Sequence, residues 1–306
     1  MNTIRPKSFF AGILAAIVIL LGSALYESGF IGEELYLKII SVAQSSDDFE
    51  SETAKIHFID VGQGESVLIE SFGKNVLIDT GEIGFGNTVA GYLRANGVYS
   101  IDLLLITHPH SDHMGCAEDI IEKFPVGKVI MPEIPAEYIP TLSFYEGFLR
   151  EMKRRDIPLS YAENGEIIEL SGGKLELFVP SGNFGDNLNN YSVVSKYTFG
   201  EAEFLFTGDI EAEGEKALLD AGADVSCDVY DAAHHGSSTS NSDDFLDAAK
   251  PDYAAVSCGY NNDYSHPHKE IKAAFKERGI KYFRTDYDGN IVFSTNGKEI
   301  SVFLSK

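Results

Sequence analysis

The sequence predicts an α+β fold in which two β-sheets pack face to face and helices cover their outer surfaces. Three observations lead there. Strand-like and helix-like stretches alternate through two β-rich halves of the chain, without a short repeat. Several apolar runs end abruptly in polar loops that carry histidine and aspartate, which is how layered proteins present binding residues at strand ends. These motifs are spread from about residue 55 to residue 268 of 306, which argues for one domain.

Taken in order, residues 8–26 are uncharged and mostly apolar, with Arg5 and Lys7 before them and Glu27, Glu33 and Glu34 after. A run of that length is just enough to cross a bilayer, and the flanking charges place the N-terminus inside. The expectation is a single-pass cell-membrane anchor (residues 1–26) with an extracellular domain. The alternative is a signal peptide cut near Gly22-Ser23-Ala24, giving a secreted protein. Residues 27–53 read as an acidic, polar tether, and residues 54–306 as the domain.

Residues 55–61 alternate like a strand and run into the turn Gly62-Gln63-Gly64-Glu65. Residues 66–71 and 74–79 read as a hairpin around Phe72-Gly73, followed by a helix over 87–95 that Asn96-Gly97 closes. The run 101–106 reads as a buried strand, with a helix over 114–123, a strand over 128–131 and an amphipathic helix over 141–155. Residues 167–170 and 175–180 suggest a second hairpin. In the second half, strands are expected over 192–199, 203–207, 225–233 and 253–257. Helices are expected over 211–219, 243–249 and 268–278, and short strands over 281–284, 291–295 and 300–304.

The stretch that organises the chain is Thr107-His108-Pro109-His110-Ser111-Asp112-His113-Met114-Gly115. Four metal-competent side chains fall within six residues, directly after the apolar strand. His108 and His110 alternate around Pro109 and can face one side, while Asp112 and His113 sit where a helix begins. Two cations can be held side by side by such a set, and imidazole with carboxylate suits Zn, Mn or Fe. Asp209 ends the strand 203–207 in an analogous position, next to Gly208, and can bridge two cations as well as cap a helix. His234-His235-Gly236 ends a third buried strand. Adjacent side chains of a strand diverge, so one of the two histidines is expected to meet the cations and the other not. His266-Pro267-His268 follows a polar loop, where His268 reads equally well as a helix start.

Cys116, Cys227 and Cys258 are odd in number and far apart, so they read as small buried apolar residues rather than a disulfide framework. The formal charge of −23 excludes a basic nucleic-acid-binding surface.

With Leu77-Ile78-Asp79-Thr80-Gly81, His108 to His113, Gly208-Asp209 and His234-His235-Gly236 on the page, the chain resembles the metallo-β-lactamase superfamily. Phe58-Ile59-Asp60-Val61-Gly62-Gln63-Gly64, Asn189-Asn190-Tyr191-Ser192 and His266-Pro267 narrow the resemblance to the hydrolase domain of ComEC-type competence proteins. The resemblance implies a four-layer αββα sandwich with two divalent metal ions, Zn or Mn. It implies His108 and His110 on the first metal, Asp112, His113 and His235 on the second, and Asp209 between them. It implies Asp79 and Asp60 behind the ligands, Asn190 and Ser192 facing substrate, and Asp112, His234 and His266 in the chemistry.

Two departures stand out. The wider superfamily supplies a further histidine to the first metal, and there is none between His113 and His234. ComEC-type domains share that absence, leaving water, Asn190 or substrate to complete the site. Glu65 also stands where the family usually has aspartate. The resemblance implies an extracytoplasmic phosphodiesterase or nuclease acting on DNA, partnered by a DNA-uptake channel that this chain, with its single apolar run, is not expected to form. The alternatives are hydrolysis of a small or cell-envelope phosphodiester, of the phosphocholine or teichoic-acid type, and a non-catalytic accessory module of DNA uptake.

Overall fold

A computed structural model of the protein describes residues 53–306 continuously, and before them residues 25, 26, 28, 29, 31, 32, 35, 36 and 38. The expected anchor and tether lie for the most part outside the described residues. Among the described residues no helix is long and apolar enough to cross a membrane.

The chain builds one sheet, then a second, and returns to the first. Strands β1 (Ala54–Phe58), β2 (Val67–Ser71), β3 (Lys74–Ile78), β4 (Ile101–Leu105), β5 (Val126–Met131) and β6 (Leu159–Tyr161) are laid down side by side. The second sheet takes β7 (Ile167–Leu170), β8 (Gly173–Phe178), β9 (Val194–Phe199), β10 (Ala202–Phe206), β11 (Val229–Asp231), β12 (Tyr253–Val256) and β13 (Lys281–Arg284), again neighbour by neighbour. Finally β14 (Ile291–Thr295) pairs with β1, and β15 (Ile300–Leu304) with β14. The hairpins are antiparallel, whereas β3–β4–β5–β6 and β10–β11–β12–β13 are parallel. Their crossovers carry the helices.

Period-two alternation explains the four layers. Ile56, Phe58, Val67, Ile69, Val76, Ile78, Leu103 and Leu105 of the first sheet meet Leu175, Leu177, Tyr197, Phe204 and Phe206 of the second in the central layer. The intervening residues Leu68, Leu77 and Leu104 point outwards, against helices α1 (Gly86–Ala95), α3 (Ala117–Lys123) and α4 (Ser143–Arg155), reached by way of the single turn α2 (Ser111–Met114). On the other side Leu205, Tyr230 and Ala254 pack under α5 (Ala212–Asp220), α6 (Asp243–Ala249) and α7 (Lys269–Arg278). A register slip of one residue would exchange the two faces. Each large side chain so moved to water would cost about 1.5–3 kcal/mol.

Two expectations need correction. The helix foreseen over 114–123 is two pieces, broken at Gly115–Cys116, because the 82–83 loop passes against it. A Cβ on Gly115 would lie 2.5 Å from the Ile83 nitrogen, and Cys116 Sγ donates to the Glu82 carbonyl at 2.9 Å. The strand foreseen over 225–233 runs only from Val229 to Asp231, and the chain then leaves extended geometry altogether. Strand β6 was not foreseen either. Its three residues, Leu159, Ser160 and Tyr161, are largely exposed and too few to mark a strand on their own. The three cysteines are free and buried.

Candidate metal centre

Parallel pairing of β3 with β4 brings Asp79 and Thr107 out of the same edge of the first sheet, since Ile78 pairs with Leu105. Asp79 is the pivot there. Its carboxylate accepts from the Thr107 backbone N–H at 2.8 Å, from Thr107 Oγ1 at 2.6 Å and from His113 Nδ1 at 2.6 Å. It is fully buried, so these bonds replace hydration that it has lost. His110 stays extended at φ −81° and ψ 155°, and α2 then turns Asp112 and His113 inwards.

The second sheet delivers Asp209 after β10. Gly208 stands at φ +51°, and a Cβ there would lie 2.8 Å from Thr107 Cβ, so glycine lets the two loops meet. The Asp209 backbone N–H donates to Ser192 Oγ at 3.2 Å. After β11 the chain turns left-handed at His234 (φ 53°), His235 (φ 57°) and Gly236 (φ 77°). The divergence expected of adjacent strand residues therefore does not occur. His234 Nε2 lies 3.5 Å from Asp209 Oδ2, and His235 Nε2 lies 3.7 Å from Asp209 Oδ1.

Asp112, His113, Asp209 and His235 bring one ligand atom each within 4.8 Å of one another. His113 Nε2 and Asp209 Oδ1 face each other at 3.0 Å, yet neither buried atom has a hydrogen-bond partner. His235 Nε2 is 3.2 Å from Asp112 Oδ2, while its Nδ1 is tied to the Ser257 carbonyl at 2.8 Å. On the other side, His108 Nε2 lies 3.0 Å from His110 Nδ1 and 3.9 Å from Asp209 Oδ2. Convergent imidazole and carboxylate atoms with orphaned donors and acceptors fit a divalent cation.

Charge balance makes the same point. Burial by itself would lower His113 and His235, but Asp209, Asp79 and Asp112 outweigh it and hold both above the usual histidine range. Burial would raise Asp112 and Asp209, but His113 and its neighbours outweigh it and hold both below the usual carboxylate range. Burial, with His113 beside it, pushes His108 well down, and burial also lowers His110. The carboxylates thus favour positive charge at this point, which a bound cation would supply.

Beneath this cluster is a feature with no counterpart in the sequence reading. Glu65 and Asp231 are buried side by side and neither carboxylate has a donor. Burial, and each other's charge, raise Glu65 well above its usual range, while burial pushes Asp231 up to about 7. Two carboxylates so placed share a proton. The signal was the apolar strand holding Asp231, which read only as a carrier of the histidines.

A cavity of about 500 Å³ opens on the cluster. His110, Asp112, Asp209, His234, His235 and His266 line it, together with the aromatic and apolar side chains of Tyr138, Leu142, Phe144, Leu188 and Tyr264. None of the described residues lining it is lysine or arginine. Burial, together with His235 and His234, lowers His266 to about 4, so it is neutral at pH 7.

Three residues placed by resemblance lie elsewhere. Asn190 is buried and its Oδ1 accepts from the Glu211 and Gly214 N–H groups at the start of α5, at 3.0 and 3.1 Å. Ser192 is buried behind Asp209. Asp60 holds the Gly62 N–H and Lys306 Nζ, away from the ligands. His268 bridges two loops, accepting from Ser238 N–H at 2.8 Å and facing the Tyr264 carbonyl at 3.1 Å. Thr107, Gln63, Asn189 and Tyr264 were not foreseen as part of the site. They are a strand end and loop residues with no ligand chemistry of their own.

A sequence model described as the metallo-β-lactamase superfamily matches residues 59–260. The ComE operon protein 3 of Bacillus subtilis is 27% identical over 261 residues, covering 79% of this chain and 33% of that protein. Competence protein ComA of Neisseria gonorrhoeae is 33% identical over 236 residues, covering 76% and 31%. The chain thus spans about a third of the length of these curated relatives. The solved structure of CmlA, a diiron β-hydroxylase from Streptomyces venezuelae, shares the fold at a TM-score of 0.51 and 18% identity, covering 78% of this chain and 53% of that one.

Proposed function

Since the chain belongs to the metallo-β-lactamase superfamily, we propose that it is a metal-dependent hydrolase of phosphodiesters, acting on DNA. The observation that carries the hydrolase reading is the cluster around Asp209, open to a cavity that aromatic and apolar side chains also line. Asp112, His113, His235 and Asp209 Oδ1 would hold one divalent cation, Zn or Mn, with His108, His110 and Asp209 Oδ2 on the other. Bound cations of this kind polarise a phosphoryl group and acidify water near neutral pH.

The remaining work falls to the protein. Asp79 fixes the His113 ring through Nδ1, and the Ser257 carbonyl fixes His235, so that each Nε2 faces the centre. His266, a neutral imidazole on the cavity wall, would donate an N–H to a phosphoryl oxygen. Tyr264, stacked on His266 at 5.5 Å, and Tyr138 would offer ring faces to an unpaired base. The competence relatives support a role in DNA uptake, and a DNA-uptake channel would then be the partner.

The formal charge of −23 and a cavity without lysine or arginine favour a second reading, a small or cell-envelope phosphodiester. The apolar run 8–26 supports an extracellular, membrane-anchored placement, with secretion as the alternative. An accessory role without catalysis would not require so complete a ligand set. The purified protein with added Mn or Zn, given plasmid, oligonucleotide and bis-p-nitrophenyl phosphate, tests the proposal. Turnover of DNA is expected. Turnover of the small ester alone favours the second reading, and no turnover of any overturns both.

A further inference from the structure

We infer that His234 is a ligand of the first divalent cation, completing the His108–His110 half of the centre in place of the histidine that the chain lacks between residues 113 and 234. This rests on the metal-dependent reading above and assigns a ligand within it.

The two oxygens of Asp209 divide the imidazoles into two groups. Oδ1 faces His113 Nε2 at 3.0 Å and His235 Nε2 at 3.7 Å. Oδ2 faces His234 Nε2 at 3.5 Å and His108 Nε2 at 3.9 Å, and His108 Nε2 is itself 3.0 Å from His110 Nδ1. Two imidazoles therefore face Oδ2, with His110 beside His108, and imidazole with carboxylate is the donor chemistry that Zn and Mn accept.

How His234 is held points the same way. A ligating imidazole usually has its other ring nitrogen bound by a carboxylate, a carbonyl or a hydroxyl, which aims the ring. His113 Nδ1 is held by Asp79, His235 Nδ1 by the Ser257 carbonyl, and His108 Nδ1 by Thr107 Oγ1 at 3.2 Å. His234 follows suit, with Nδ1 at 3.2 Å from Thr239 Oγ1 and 3.5 Å from Glu211 Oε1. The backbone adds a third argument. Extended, residues 234 and 235 would send their rings to opposite sides. Left-handed, both reach one carboxylate, a conformation that costs a non-glycine residue about 1–3 kcal/mol and persists where its surroundings demand it. With Nε2 committed to the cation, His234 is not free to protonate a leaving group, and His266 is the imidazole left to meet substrate.

The test is cation binding, read apart from turnover. The full-length protein and its His234→Ala variant are stripped of metal and titrated with Co(II), following affinity and the visible absorption spectrum, with mass spectrometry counting ions per chain. Wild type is expected to bind two ions. His234→Ala should keep one ion tightly bound and bind the other at least about 10–100-fold more weakly, the range that loss of a partner behind a ligand already produces. The spectrum of the weakened ion should change. His234→Gly, which tolerates the left-handed backbone, repeats the measurement should the alanine variant fold poorly. Two ions at wild-type affinity with an unchanged spectrum in a folded variant overturn the assignment. A wild type that binds no divalent cation instead overturns the metal-dependent reading beneath it.

Discussion

After β4 the chain reaches the cluster through ordinary conformations. His110 is extended, Asp112 and His113 begin a helical turn, and Asp79 from the neighbouring strand holds the loop by three hydrogen bonds. After β11 it does the opposite, with three consecutive left-handed residues aiming two histidines at the carboxylate that the first loop also meets. The first region is set by pairing and hydrogen bonds that the sequence pattern encodes. The second is set by a backbone conformation that nothing but the packed structure enforces. A ligand set can therefore be half written in local pattern and half imposed by the fold.

The largest test removes what the two regions share. Asp209→Ala should lose cations and turnover together, with activity falling about 10²–10³-fold or more. Metal content by mass spectrometry is the check. Two ions retained in the variant would break the claim that both regions meet at one carboxylate.

The next separates the regions. Asp79→Asn leaves the turn at 234–236 untouched but weakens the hold on His113 and Thr107. Cation affinity should fall about 10–100-fold with the fold intact, measured by isothermal titration. An unchanged affinity would mean that backbone pairing alone orients the first loop.

A stability comparison sharpens the contrast further. Gly236→Ala places a Cβ at φ +77°, 2.6 Å from Pro267 Cβ. It should cost about 1–3 kcal/mol and lower Tm by several degrees. Ser111→Ala, in the first region, loses only the half-buried hydroxyl contact with Glu82 at 3.0 Å and should cost about 1 kcal/mol or less. Equal losses would remove the distinction between an ordinary and a strained loop.

The smallest expected effect lies below both regions. Glu65 and Asp231 have folded-state pKa values raised above their unfolded ones, Asp231 to about 7. Their contribution to stability is therefore full below about pH 4 and is lost as pH rises through about 7. In the metal-free protein, Tm of wild type relative to Glu65→Gln should fall between pH 5 and pH 8. The difference isolates the pair from the histidines that titrate in the same window. A difference independent of pH would mean that the two carboxyl groups do not share a proton.

Much of this was legible in the sequence. Two β-rich halves with interspersed helices gave the two packed sheets, and Thr107 to His113 gave the loop. The boundaries of α6, β13, β14 and β15 were read to the residue. What escaped has physical causes. Left-handed φ at two histidines leaves no mark in residue type, unlike a glycine, so the strand read on to residue 233 with His234 and His235 at its end. Asn190 and Ser192 carry groups that could face a ligand or a backbone, and only packing chooses; here they cap α5 and hold Asp209. Glu65 and Asp231 are 166 residues apart, and no local pattern pairs them.

That one carboxylate serves both halves also has a thermodynamic consequence. An ion held on the Oδ1 side would fix the rotation of the Asp209 side chain and so meet part of the ordering cost for an ion on the Oδ2 side. The two occupancies are linked, and linkage is reciprocal: whatever factor the first ion lends the second, the second returns to the first. Where that ordering outweighs the repulsion between the two charges, loading of the centre would be steeper than two independent sites allow, and withdrawal of either ion would loosen the other. The protein would answer to the scarcity of divalent cations over a narrow range of concentration, as a switch does.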